Sequence, residues 1–121
     1  MKHCLVVEDS RVIRKVACSI LESLHIKAEE AEDGSAALDA CRRHMPDLVL
    51  LDWNMPDGAA ASFLRDLRRE PGGAEPVVVF CTTENDLSEI TEAMMIGAND
   101  FVLKPYDRAL LETKLAQVGV I

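Results

Sequence analysis

Basic residues are scarce in this chain: 13 Lys and Arg stand against 21 Asp and Glu, a formal net charge of −8 over 121 residues. That balance excludes a general affinity for nucleic acid, which needs a basic footprint. Long apolar runs are missing as well. None approaches the roughly 20 residues that span a bilayer, and the opening Met1-Lys2-His3-Cys4-Leu5 runs into Glu8-Asp9 too soon for a signal peptide. The expected compartment is the cytoplasm, with no membrane partner. Cysteine is sparse and dispersed: Cys4, Cys18, Cys41 and Cys81 form no C-x-x-C, so buried, reduced thiols acting as small hydrophobes are expected. His3, His25 and His44 have no metal-ligand spacing and read as incidental. There is no repeat, no low-complexity run and no Pro/Gly/Ser-rich linker, so residues 1–121 are expected to form one monomeric domain with no output domain attached.

What is present is an alternation. Apolar residues make up 49% of the chain, enough for a core, and they gather in five short runs. His3 to Val7 is the first strand, Ile26 to Ala31 a weaker second, Leu48 to Leu51 the third, Val77 to Cys81 the fourth and Phe101 to Leu103 the fifth. Runs one, three and four are apolar throughout, the pattern of strands buried on both faces of a parallel sheet. Between them lie helical periods. Val12, Ile13, Val16, Ile20 and Leu24 recur at steps of 3 and 4. Asp33-Gly34-Ser35 caps a stretch carrying Ala37, Leu38, Cys41 and Met45. Phe63, Leu64 and Leu67 mark a third helix, ended by Pro71-Gly72-Gly73. Leu87, Ile90 and Met94 mark a fourth, closed by Gly97, and Leu111, Leu115 and Val118 a fifth. Alternating strands and helices with short links make an α/β fold with a parallel sheet and right-handed crossovers.

In such a sheet ligands bind beyond the carboxyl ends of the strands. The residues there are Glu8 and Asp9 after the first, Asp52 after the third, Thr82 and Thr83 after the fourth, and Lys104 with Pro105 after the fifth. Three carboxylates at one edge repel unless a cation lies between them or a pKa rises. Mg2+ suits an all-oxygen site and keeps several waters. Lys104 adds a fixed positive charge and Thr82 a hydroxyl. Carboxylates, Mg2+, Lys and Thr together fit phosphoryl transfer, where metal and ammonium neutralise the equatorial oxygens and one carboxylate is the nucleophile. Asp52 fits that part because it ends the most apolar strand, near the middle of the expected sheet. Glu8 and Asp9 would hold the metal, with a backbone carbonyl just after Asp52 completing the shell.

Four segments then carry a resemblance: Val6-Val7-Glu8-Asp9-Ser10, Leu51-Asp52-Trp53-Asn54-Met55-Pro56, Cys81-Thr82-Thr83, and Gly97 through Pro105. Together, and in this order, they resemble the response-regulator receiver domains of the CheY-like, single-domain kind. The resemblance implies a flavodoxin-like sheet in the order 2-1-3-4-5 flanked by five helices. It implies that Asp52 is the phosphoacceptor, paired by Lys104. It gives the Mg2+ site to Glu8, Asp9, Asp52 and the main-chain carbonyl of Asn54. Thr82 is the switch hydroxyl and Phe101 the switch aromatic, and the Lys104-Pro105 peptide is cis. It also implies the partners: a sensor histidine kinase or a histidine phosphotransfer protein upstream, and an unknown protein target downstream. The target would read a face formed by the fourth helix, fifth strand and fifth helix, much of it from Leu87 to Tyr106, and chemotaxis is one setting for such a switch. A relay intermediate or a phosphate sink is an alternative role. The chain is then a signalling protein that takes part in its own phosphorylation and dephosphorylation.

Two positions depart from the family pattern. Asp57-Gly58 follows Pro56 at once, which leaves the shape of that loop open, and position 101 is Phe rather than Tyr. Trp53 is expected to pack beside the site, and the side chains of Asn54 and Glu84 to tune the attack of water on an acyl phosphate. A Mg2+-dependent aspartyl-phosphate phosphatase would need a second carboxylate two residues after the nucleophile, and that place holds Asn54. A phosphorylation-independent binding module would not need Glu8, Asp9, Asp52, Thr82 and Lys104 together.

Overall fold

The computed structural model describes residues 2–83 and 86–121. Its elements run β1 (His3–Val7), α1 (Arg11–Ser23), β2 (Lys27–Ala31), α2 (Gly34–Arg43), β3 (Leu48–Asp52), a single 3-10 turn (Pro56–Gly58), α3 (Ala59–Arg69), β4 (Val77–Thr82), α4 (Leu87–Ile96), β5 (Asp100–Leu103) and α5 (Arg108–Gln117). The five strands are parallel in the order β2-β1-β3-β4-β5, as the resemblance implies.

The apolar strands split by alternation between two cores. Leu5, Val7, Val49, Leu51, Val78 and Phe80 face α2, α3 and α4, against Ala37, Cys41, Phe63, Leu64, Leu67 and Ala93. Cys4, Val6, Leu48, Leu50, Val79 and Cys81 face α1 and α5, against Ala17, Leu21, Leu111 and Leu115. This explains why β1, β3 and β4 show no polar alternation: each face has its own helical cover. The edge strand β2 carries Lys27, Glu29 and Glu30 and is only partly buried, which is how an edge discourages further pairing. All four cysteines are buried and free.

Helix starts follow local chemistry. Ser10 caps α1 through Ile13 N, Asp33 caps α2 through Ala36 N, Asp86 caps α4 through Ser88 N and Asp107 caps α5 through Leu110 N. The loop before α3 takes a different route. Asp57 (φ 60) and Gly58 (φ 67) are both left-handed, and they turn the chain tightly enough for α3 to start at Ala59. Arg68 of α3 then gathers loop carbonyls, donating to Gly73 O, Pro76 O and Gly97 O and to Asn99 Oδ1. Gly97, at φ 138, ends α4 where a Cβ would lie 3.0 Å from the Arg68 stem.

Two helical faces differ from the periodic reading. In α1 the buried residues are Ala17, Cys18 and Leu21, whereas Val12 is 73% exposed and Ile13 and Val16 are exposed as well. Helix α1 is apolar around more than one face, so the spacing of its apolar residues alone does not mark which of them are buried. In α4 the buried residue is Ala93, while Leu87, Met94 and Met95 are exposed. The histidines are not all incidental. His3 is buried, stacks on His44 at 4.6 Å and contacts Glu29 at 3.2 Å, at the end of the sheet away from the strands' carboxyl termini.

Candidate functional site

Strand register brings the charged residues together. Val7 pairs with Leu51, so Glu8 and Asp52 come level one residue later. Asp52 pairs with Cys81, and Thr82 pairs with Leu103, the residue before Lys104. Carboxylate oxygens of Glu8, Asp9 and Asp52 all lie within 4.8 Å of one another, and this is the one such acidic cluster among the described residues. Asp52 is 4% exposed and Thr82 2%; Glu8 is buried and Asp9 open to solvent.

Lys104 Nζ sits 2.7 Å from Asp52 Oδ1 and 3.2 Å from Glu8 Oε1. One ammonium thus serves two buried carboxylates. Burial works against the charge of Lys104, but the hydrogen bond and charge of Asp52, with Glu8 behind them, hold its pKa above the ordinary lysine value. The Lys104-Pro105 peptide is cis, as expected. The Asn54 main-chain N–H donates to Asp52 Oδ1 at 2.9 Å, so this oxygen already holds two donors. The Asn54 side chain bridges onward. Its Oδ1 accepts from Thr83 N at 2.9 Å and its Nδ2 lies 3.4 Å from Thr82 Oγ1. Ser10 N donates to Glu8 Oε2 at 3.0 Å. Glu84, the other residue expected to meet incoming water, lies outside the described residues.

The lysine does not balance three carboxylates. Burial, then the contact with Asp9 and the charge of Asp52, push the Glu8 carboxyl up to about 7. Asp9, which accepts from Glu8 and faces solvent, is held below its ordinary value. The proton therefore belongs on Glu8, the buried member of the pair. A hard, all-oxygen donor set with surplus negative charge fits Mg2+, which would displace that proton. The sign for stability follows. A raised folded pKa stabilises fully below the ordinary value of 4.5, and the contribution is lost as pH rises through about 7. In chelator, wild type should thus lose on the order of 1–2 kcal/mol relative to Glu8→Gln across that window. Paired thermal melts check this; parallel curves for the two proteins would remove the proton from Glu8.

Not every residue singled out in the sequence is at the cluster. Phe101 is half-buried on β5, stacked on Phe80 at 5.7 Å, with Lys114 Nζ 5.9 Å from its ring centre. Phe80 in turn meets Trp53 at 5.2 Å, so three aromatic rings run from the residue after Asp52 to β5. Trp53 packs beside the site, as expected. Arg14 was not visible as a site residue from the sequence; it reaches the β1–α1 loop from α1.

A doubly covered parallel sheet with this acidic edge, lysine and threonine is the architecture of a two-component signalling module. The family model for the response regulator receiver domain matches residues 4–116, and the chain belongs to that family. It is 32% identical over 117 residues to the phosphate regulon transcriptional regulatory protein PhoB of Escherichia coli, covering 97% of this chain and 51% of PhoB. It is 30% identical over 115 residues to the chemotaxis protein CheY-3 of Vibrio cholerae, covering 94% and 88%. The solved structure of Vibrio cholerae chemotaxis protein CheY4 superposes with a TM-score of 0.92 at 27% identity over 98% of both chains. The chain thus spans about half the length of PhoB and most of CheY-3. Among the described residues no helix is long and apolar enough to cross a membrane.

Proposed function

We propose that the chain is a phosphorylation switch in which Asp52 takes a phosphoryl group from a phosphohistidine of a sensor histidine kinase or a histidine phosphotransfer protein. The observation that carries this reading is the placement of Asp52: buried, and held at Oδ1 by Lys104 and by Asn54 N–H. That leaves Oδ2 to attack phosphorus. The P–N bond breaks as the P–O bond forms, and its electron pair stays on the departing imidazole nitrogen. Glu8, Asp9, Asp52 and the Asn54 carbonyl would hold Mg2+, which neutralises charge on the phosphoryl oxygens when bound. Lys104 supplies the second positive charge on the transferring group.

The new phosphoryl oxygens offer the Thr82 hydroxyl a charged acceptor, which the Asn54 amide, a donor to Thr82 Oγ1, does not. Moving Thr82 toward them opens space near Phe80, into which the Phe101 ring turns. A bias of a few kcal/mol between two existing states is enough for such a switch. The downstream protein then reads α4, β5 and α5, where Leu87, Met95, Leu103 and Leu110 are each exposed to solvent. The likeness to CheY-3 favours a place in chemotaxis; a relay intermediate or a phosphate sink would use the same chemistry. The Asn54 amide, engaged with Thr82 and Thr83, offers no general acid, which speaks against a phosphatase acting on outside substrates.

Incubation with acetyl phosphate and Mg2+, read by intact mass, tests the reading. One phosphoryl adduct, absent in chelator and mapped to Asp52, is expected. No adduct, or an adduct on another residue, sinks it; rapid turnover of varied phosphate esters would move the chain to the phosphatase reading.

A further inference from the structure

We infer that Arg14 is a positioning residue for the cation site: it fixes the main chain that carries Glu8 and Asp9, and so sets Mg2+ affinity from outside the ligand shell. The inference rests on the Mg2+ reading proposed above. Arg14 lies on the first turn of α1, with its side chain only 12% exposed. Its Nη1 donates to Glu8 O at 2.8 Å and to Asp9 O at 3.3 Å. Its Nε donates to Glu30 Oε1 at 3.1 Å. The other oxygen of Glu30 takes Lys15 Nζ at 2.7 Å, so the acceptor on β2 is itself anchored. One planar guanidinium thus ties together three elements: the end of β1, the start of α1 and the neighbouring strand β2.

The consequence is geometric. Two successive carbonyls held by one nitrogen fix the peptide between Glu8 and Asp9. That peptide decides where both carboxylates point. Ser10 N on Glu8 Oε2 and Lys104 on Glu8 Oε1 fix the side chain from the other end. Without the guanidinium, the loop would hold Glu8 only by that side chain and by Glu8 N to Ala31 O. Mg2+ tolerates little departure from octahedral geometry, and loss of an outer partner of a metal ligand costs metal affinity about 10- to 100-fold.

The positional role and a bare charge effect predict opposite signs. Arg14 is a cation near an acidic site. If only its charge mattered, removing it would tighten Mg2+ binding. If its fork holds the loop, removing it weakens binding, and lysine does not substitute, because an ammonium lacks the planar pair of donors.

The test is a Mg2+ titration of the full chain, read by calorimetry and by fluorescence of Trp53, the single tryptophan. Arg14→Lys and Arg14→Gln are each expected to weaken Mg2+ about tenfold. Glu30→Gln, which leaves Arg14 in place but loosens it, should show a smaller loss. Arg42→Gln, which breaks the Arg42–Glu70 ion pair on the far end of α2, is the control for a general loss of stability and should leave Mg2+ affinity unchanged. Binding by both Arg14 variants within twofold of wild type, tighter binding by Arg14→Gln, or an equal loss in Arg42→Gln overturns the role. A wild-type chain that takes no Mg2+ sinks the cation reading itself, a result separate from any change among the variants.

Discussion

Asp52→Asn is expected to take up no phosphoryl group from acetyl phosphate or from a phosphohistidine donor, while keeping its fold. The substitution is nearly isosteric, so β3 and its pairing with β4 stay as they are. The amide oxygen can still accept from Asn54 N–H, as Asp52 Oδ1 does at 2.9 Å. What is lost is a nucleophile: a neutral amide does not form an acyl phosphate. Stability has two opposing contributions. The 2.7 Å ion pair with Lys104 is weakened, which destabilises. Repulsion from Glu8 and Asp9, whose oxygens lie within 4.8 Å, is relieved, which stabilises. The net change in chelator should fall within about 1 kcal/mol, because a functional acidic cluster is strained before its cation arrives. Mg2+ affinity drops as well, since one of three carboxylates is gone. Intact mass and a thermal melt on the same sample decide the matter. Phosphoryl uptake by Asp52→Asn at the wild-type rate would put the acceptor elsewhere.

The sheet and the site were legible in the sequence for a common reason. A strand covered on both faces must be apolar throughout, so the first polar residue after it marks where the strand leaves the core. Glu8, Asp52, Thr82 and Lys104 were placed by that rule alone, and the register of the strands brings them to one edge. The strand order was not legible from periodicity, because any right-handed arrangement would bury the same runs; it came with the family resemblance. Helical faces failed where a helix is apolar on more than one side. In α1, Val12, Ile13 and Val16 hold the same spacing as a core stripe but are exposed, and small Ala17 and Cys18 are buried instead. In α4 the inward residue is Ala93, and Met95 stands 82% exposed. The Asp57-Gly58 loop was opaque because two left-handed residues in a row leave no periodic trace, although Asp is one of the few non-glycine residues that adopt that conformation. Arg14 gave no signal because its contacts beside the site are backbone carbonyls, which every residue has, and its side-chain partner Glu30 lies on another element. Only its fork geometry singles it out.

Lys104→Met carries the other large effect, and it separates catalysis from stability. Methionine keeps the length of the stem and removes the charge. Phosphoryl uptake should fall about 10²- to 10³-fold, the usual result of deleting one preorganised donor to a developing charge. The folded protein also suffers, because Asp52 and Glu8 lose the ammonium that sits 2.7 and 3.2 Å away. Removing one partner of a fully buried pair costs about 3–5 kcal/mol. Here Asp9 opens the cluster to water, so about 2 kcal/mol is expected in chelator above pH 7, with Glu8 ionised. The loss should shrink toward pH 4.5, because the same removal lets Glu8 keep its proton more readily and a neutral Glu8 needs no counter-charge. Mg2+ should restore most of the lost stability, since it neutralises the same oxygens, but not the rate, since it cannot replace the second positive charge on the phosphoryl group. Denaturant melts at both pH values, with and without Mg2+, and acetyl phosphate uptake by intact mass measure the two effects on one protein. Uptake within threefold of wild type would remove Lys104 from the chemistry. An equal stability loss at both pH values would mean that the ammonium stabilises the fold through Asp52 alone and that Glu8 has no titrating share in it.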